Sequence, residues 1–300
     1  MSAASSSSSS GTTPIWLPVL VLLIAMTSIQ GGAALAKTLF SDVGATGITA
    51  LRLAFGTVIL CVIFKPWRLQ FSRQQITPLL LYGLALGGMN YSFYLALRTI
   101  PLGVGVALEF TGPLALALAG SRRPQDFLWV VLALAGLWFL LPLSKDISGV
   151  DPEGAMLAVL AGVFWAVYIL AGKRAGAHHG PATVAMGSLI ASVIFVPVGL
   201  VFAHSGIWSL SIIPVALAIA VLSSALPYSL EMVALTRLPA KTFGTLMSLE
   251  PAMAAMSGML FLGEVLSPMQ WLGLLAIILA SAGSTLTLRP SKQKIVRVGK

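Results

Sequence analysis

Charge is what this sequence has least of. Aspartate and glutamate together number nine in 300 residues, and all charged residues make up 9% of the chain against 57% hydrophobic. So few polar groups cannot cover the surface of a water-soluble domain, which excludes a soluble enzyme or binding module. Cysteine occurs once, at Cys61 inside an apolar run, so no intrachain disulfide can form. The three histidines, His178, His179 and His204, fall in or near expected links and show no metal-ligand spacing. A Gly-rich phosphate loop with its lysine and a G-x-S-x-G elbow are both missing. No catalytic residue, metal site or cofactor is therefore expected.

What the chain has is long apolar runs, with a mean hydropathy of +0.95. A membrane helix takes roughly 20 mostly apolar residues. Breaks at glycine, proline and charge delimit ten such runs, near 15–37, 45–64, 77–97, 102–119, 126–143, 154–172, 181–203, 211–235, 241–262 and 268–288. The reading is an all-α polytopic membrane protein with the lipid bilayer as its solvent. A polar Ser-rich lead, 1–14, reads as disordered, and a basic tail, 289–300, closes the chain.

The net charge of +9 sits almost wholly in short links, so it reads as an orientation signal and not as a nucleic-acid footprint. With the N-terminus in the cytoplasm, Lys65, Arg68, Arg73, Arg122, Arg123, Lys173, Arg174, Arg237, Lys241 and the five basic residues of the tail face inward. Only Lys37, Arg98 and Lys145 face outward, while Arg52 lies within a span. That bias places both termini in the cytoplasm. Trp67, Trp129, Trp208 and Trp271 fall near span ends, as interfacial anchors do.

The two halves echo each other. Ala96-Leu97-Arg98-Thr99-Ile100-Pro101 with Pro113 returns as Ala234-Leu235-Thr236-Arg237-Leu238-Pro239 with Pro251, at a constant offset of 138. Gly120 pairs with Gly258, Gly136 with Gly273, and the segment from Lys37 to Gly44 with that from Lys173 to Gly180. Each copy, 15–143 and 154–288, carries five spans. An odd number of spans inverts the second copy relative to the first, which is an architecture of carriers that alternate access to a central site.

Four ionisable residues fall inside spans. A charge at mid-bilayer costs about 2.5–3.5 kcal/mol on insertion scales, so such residues face a polar cavity or one another. Glu109 and Glu250 lie near the middle of the fourth and ninth spans, one helical turn out of strict repeat equivalence. Each sits beside a helix-breaking proline. Pro113 denies the carbonyl of Glu109 its amide partner, and Pro251 denies that of Met247, so a carboxylate and bared acceptors together suit an ammonium group or a proton. A kink with a satisfied acid is the structural alternative. Glu231 lies nearer the cytoplasmic end of the eighth span, where it can snorkel, and its neighbours Pro227 and Tyr228 can equally make a local kink. Arg52, seven residues into the second span, requires an anion: either Glu109 or Glu250, or a substrate carboxylate. One cation and two or three acids match a zwitterion with charge left for a proton. Gln30 before Gly31-Gly32, Asn90, Tyr91 and Tyr94 in the third span, and Trp165 and Tyr168 in the sixth are candidates to complete a binding site.

Glu250-Pro251, Gly258, Leu262-Gly263-Glu264 and Gln270-Trp271-Leu272-Gly273 resemble the drug/metabolite transporter superfamily, EamA type, over residues 15–288. Four further strings are similar to amino-acid exporters of that superfamily: Ser28-Ile29-Gln30-Gly31-Gly32; Gly87-Gly88-Met89-Asn90-Tyr91; Val106-Ala107-Leu108-Glu109-Phe110-Thr111-Gly112-Pro113; and Ala225-Leu226-Pro227-Tyr228-Ser229-Leu230-Glu231-Met232. The resemblance implies export of threonine, homoserine and related amino acids across a bacterial inner membrane, driven by protons. An exporter of another metabolite or of a cationic drug is the alternative within the superfamily. The resemblance assigns no binding residue.

Overall fold

The structure, a computed structural model, describes residues 16–68, 73–119, 124–140, 150–175, 182–237 and 246–287. The Ser-rich lead, the basic tail, His178-His179, Arg122, Arg123, Lys145 and Lys241 lie outside the described residues.

The elements are α1 (Trp16–Thr38), a single turn α2 (Phe40–Val43), α3 (Ala45–Phe64), α4 (Arg73–Ala96), α5 (Leu102–Ala119), α6 (Pro124–Leu140), α7 (Pro152–Ala175), α8 (Ala182–Val201), α9 (Ile212–Ala220), α10 (Leu226–Arg237), α11 (Glu250–Leu262) and α12 (Pro268–Thr287). No strand occurs among the described residues. Five helices, α1, α3, α4, α7 and α8, are long and apolar enough to cross a membrane; shorter apolar stretches lie in α5, α6, α9–α10 and α12. Outward faces carry Val62, Phe127, Leu134, Val193 and Leu260 more than half exposed. Apolar surface on that scale belongs against lipid.

Helix ends follow local chemistry. Lys65 in the left-handed region ends α3, and Gly263 at φ 65° ends α11. Asp151 caps α7: its Oδ2 accepts from the Gly154 amide at 2.9 Å, with Pro152 in the first helical position. That bond holds the Asp151 carboxyl below its ordinary value.

Two expected spans are not simple rods. The eighth runs from Ile212 to Arg237 but contains a π-turn at Val221–Ala225 between α9 and α10. The ninth is interrupted at Ser248-Leu249, and α11 starts at Glu250 with Pro251 in its first turn. The helix at Pro113, by contrast, is not broken: α5 runs through it to Ala119.

Helices pair in matched sets. α4 packs on α7 as α1 packs on α10; α5 on α7 as α1 on α11; α4 on α8 as α3 on α9; and α3 faces α8, α5 faces α11, α6 faces α12. The last of these brings Gly136 onto the backbone of Gly273. One end of the molecule gathers the links after α1, α4 and α11. There Lys37 Nζ donates to Glu264 Oε1 at 2.6 Å and to the Ile100 carbonyl at 2.8 Å, and Glu264 Oε2 accepts from the Leu102 amide at 2.8 Å.

Close crossing of α5 and α7 rests on glycine. A Cβ at Gly112 would collide with the Gly162 carbonyl, whereas one at Gly31 would meet nothing nearer than the Phe261 ring edge at 3.9 Å. Gly112→Ala should therefore lower unfolding stability by about 1–3 kcal/mol, as over-packing does, while Gly31→Ala should leave it unchanged. Thermal unfolding in detergent of the two variants checks this; equal effects would contradict the crossing.

Candidate functional site

The helix irregularities meet at one place. Pro227 has no N–H, and its ring crowds the carbonyl four residues back, at Ser223. The chain answers by slipping one residue, so that the Leu226 amide bonds to Val221 and closes the π-turn. Slippage leaves the carbonyls of Leu222 and Ser223 without their α-helical donors. Neighbouring helices supply replacements: Ser28 Oγ of α1 donates to the Leu222 carbonyl at 2.7 Å, and Arg52 Nη2 of α3 donates to the Ser223 carbonyl at 2.7 Å. Such π-turns recur at functional sites because they aim backbone groups sideways.

Arg52 is held on three sides. Besides that carbonyl, its Nε donates to Ser223 Oγ at 2.6 Å and its Nη1 donates to Asn90 Oδ1. Asn90 is itself oriented by donating to the Leu86 carbonyl at 2.7 Å. The guanidinium lies over the Tyr94 ring, 5.2 Å from its centroid. All of these partners are neutral. Among the described residues no carboxylate lies within 4 Å of Arg52; the salt bridge found is Lys37–Glu264. A pairing of Arg52 with Glu109 or Glu250, one of the two outcomes open from sequence, is not made here.

The Arg52 side of the molecule opens on a cavity of about 110 Å³, room for several waters or one small solute. Nine of the ten residues singled out from sequence border it: Gln30, Arg52, Asn90, Tyr94, Glu109, Trp165, Tyr168, Glu231 and Glu250. They come from α1, α3, α4, α5, α7, α10 and α11, so both halves of the chain contribute. The tenth, Tyr91, does not. It turns to a separate cleft with Phe40, Ser41, Arg98 and His204 and packs on Phe195. Tyr91 is one residue from Asn90 on a helix, so the two cannot share a face. Phe40 of that cleft touches Tyr94 of the cavity, ring centroids 6.2 Å apart.

Glu250 is 5% exposed and Glu109 8%. Glu250 Oε1 accepts from Gln30 Nε2 at 3.2 Å, while Oε2 has no hydrogen-bond partner. The one-turn displacement of the two acids has a structural counterpart: Glu250 opens a helix whose N-terminus favours negative charge, whereas Glu109 projects from the middle of a continuous one. The carbonyl that Pro113 frees, on Glu109, is packed against Gly162 of α7 and so serves helix crossing. Trp165 meets Phe110 edge-on at 5.5 Å, and the Tyr168 hydroxyl accepts from Tyr82 at 3.0 Å.

Sequence reasoning did not pick out Ser223 or Tyr228 as cavity residues, nor the apolar lining of Ile29, Met89, Val106 and Met247. The signal for Ser223 was Pro227 four positions on: a kink at Pro227 was open from sequence, but the carbonyl it frees was followed only for Pro113 and Pro251.

A model of the EamA-like transporter family matches residues 152–286. The threonine/homoserine exporter RhtA of Salmonella typhimurium (strain LT2) is 69% identical over 280 residues, covering 93% of this chain and 95% of that protein. The threonine/homoserine exporter RhtA of Escherichia coli (strain K12) is 67% identical over 276 residues, covering 92% and 94%. The chain belongs to the EamA-like transporter family. A crystal structure at 21% identity shares the fold, with a TM-score of 0.60 over 92% of this chain and 99% of that one. Membership of the EamA-like family makes this a multi-pass membrane transporter and not an enzyme. The cavity is thus set among lipid-facing helices of a transporter, where four ionisable side chains face one small volume.

Asn90 is the support whose loss is simplest to measure. Asn90→Ala removes a hydrogen bond from a buried guanidinium, and such bonds are worth about 1.5–3 kcal/mol. Unfolding stability should fall by that amount; an unchanged melting temperature would mean Arg52 is held by other groups.

Proposed function

We propose that this protein exports threonine, homoserine and related small amino acids across the bacterial inner membrane, exchanging them for protons by alternating access. The observation that carries the reading is the cavity's charge pattern. Arg52 is buried with hydrogen bonds to neutral groups only, and Glu250, bordering the same cavity, keeps one buried oxygen without a hydrogen bond. A buried guanidinium cannot shed its proton and calls for an anion. A zwitterion brings a carboxylate to Arg52 and an ammonium to the acids. The high identity to proteins named threonine/homoserine exporters supports amino acids as the cargo.

Ten spans in two inverted five-helix repeats, 15–143 and 154–288, with both termini in the cytoplasm, form the scaffold. The matched helix pairings and the meeting of Gly136 with Gly273 support it. So does the gathering of Lys37, Ile100 and Glu264 at one end, since all three belong to links assigned outside the cytoplasm. In this scheme one repeat rocks against the other about the central cavity. The Lys37–Glu264 bridge ties the repeats together at the outer end, and rocking has to part it.

Glu109 and Glu250 alternate between proton and substrate ammonium, with Glu231 at the cavity's edge toward the cytoplasm. Three acids on one cavity also favour a second reading, export of an organic cation. Counterflow of labelled threonine against either unlabelled threonine or an organic cation separates the two.

Inverted membrane vesicles test the coupling. Threonine should accumulate in respiring vesicles and leave when a protonophore is added. Glu109→Gln and Glu250→Gln should each reduce accumulation to near the passive level. Accumulation at the wild-type level across the pH range in Glu109→Gln would remove that residue from the mechanism.

A further inference from the structure

The two amino acids in the relatives' names both carry a side-chain hydroxyl, and one tyrosine bordering the cavity has a buried hydroxyl without a partner. Tyr94 is 1% exposed, yet its hydroxyl has no hydrogen-bond partner among the described residues. A buried hydroxyl left unpaired costs about 1–3 kcal/mol. The ring itself is firmly placed. It meets Phe40 at 6.2 Å and Phe93 edge-on at 5.8 Å, with the Arg52 guanidinium over its face at 5.2 Å. Of the other tyrosines nearby, Tyr82 and Tyr168 bond to each other at 3.0 Å, and Tyr228, which also borders the cavity, is less deeply buried than Tyr94.

Buried side-chain atoms without partners number two among the described residues, Tyr94 Oη and Glu250 Oε2, and both residues border this cavity. We infer that the Tyr94 hydroxyl is the specificity group that reads the substrate's side-chain hydroxyl. With Arg52 assigned to the carboxylate and Glu250 to the ammonium, the three polar groups of threonine or homoserine each find one counterpart. A tyrosine hydroxyl both donates and accepts, so it pairs with an alcohol in either sense. The apolar lining around it, Ile29, Ala33, Met89 and Val106, offers little discrimination of its own. Apolar contact separates isosteres weakly, whereas a site built to bond a hydroxyl rejects its methyl analogue strongly, because the site's own polar group is then stranded.

The inference rests on the amino-acid exporter reading, and the experiment keeps the two apart. Purified protein in proteoliposomes is assayed by counterflow for threonine against valine and for homoserine against norvaline, pairs in which a methyl replaces the hydroxyl. Wild type should prefer each hydroxylated member. Tyr94→Phe, which keeps the ring and removes only the hydroxyl, should cut both preferences by about tenfold while leaving valine and norvaline transport near its wild-type rate. Tyr91→Phe, which removes a hydroxyl in the separate cleft and not in the cavity, should leave the preferences unchanged. Unaltered preferences in Tyr94→Phe would overturn the inference. So would an equal fall for all four amino acids, which would place the hydroxyl on the carboxylate beside Arg52. A wild-type protein that carries none of the four would instead overturn the exporter reading. Melting temperature measured alongside excludes misfolding as the cause.

Discussion

The charge on Arg52 is the constraint around which the rest of the structure is arranged. A guanidinium remains ionised in any protein environment, and placing it inside a span is costly unless every N–H finds an acceptor and the charge finds an opposite. The fold answers the first requirement for three of the five N–H groups, and with neutral acceptors: the Ser223 carbonyl and hydroxyl and the Asn90 carbonyl oxygen. On the proposed reading the second falls to the cargo's carboxylate. A pre-oriented cation with the cargo as its counter-ion would then give the carrier differential affinity for an anionic headgroup. It also explains why neutral residues surround it: a structural salt bridge would have to be broken each time a carboxylate bound.

Backbone irregularity makes this arrangement possible. A regular α-helix from Ile212 to Arg237 would bond the Ser223 carbonyl internally and deny it to Arg52. Pro227 prevents that, the π-turn follows, and α1 and α3 are stitched to the eighth span through the two carbonyls it strands. On the other side of the cavity the interruption at Ser248-Leu249 sets Glu250 at a helix N-terminus, within reach of Gln30. Both irregular stretches lie in the second half of the chain. Their counterparts in the first, α4 and α5, are continuous, and their glycines instead admit neighbouring helices closely, as Gly112 does at Gly162. The second half of the chain therefore supplies the shaped backbone and the first the packing platform.

Much of this was legible in the chain. Apolar length and its punctuation by charge placed α3 and α5 to the residue and the other long helices within about four. The cost of intramembrane charge was enough to bring Arg52, Glu109, Glu231 and Glu250 to one cavity, since each would otherwise face lipid. Less legible was anything set by tertiary pairing. Sequence allowed Arg52 a carboxylate partner, and choosing between Glu109 and Ser223 requires knowing which helix faces α3. Tyr91 was grouped with Asn90 and Tyr94 by proximity in sequence, whereas helical geometry turns it to another cleft. A proline's consequence depends likewise on its neighbours. Pro113 lies within an unbroken helix against Gly162, and Pro227 shifts the hydrogen-bond register.

The central claim is that the cargo's carboxylate is the missing anion of Arg52. It is tested most directly by comparing threonine with threoninol, which keeps the ammonium and the hydroxyl but lacks the carboxylate. In counterflow of labelled threonine from proteoliposomes, excess unlabelled threonine should drive exchange and excess threoninol should not. Exchange driven equally by both would show that Arg52 does not meet the substrate, and the account of the cavity would fail.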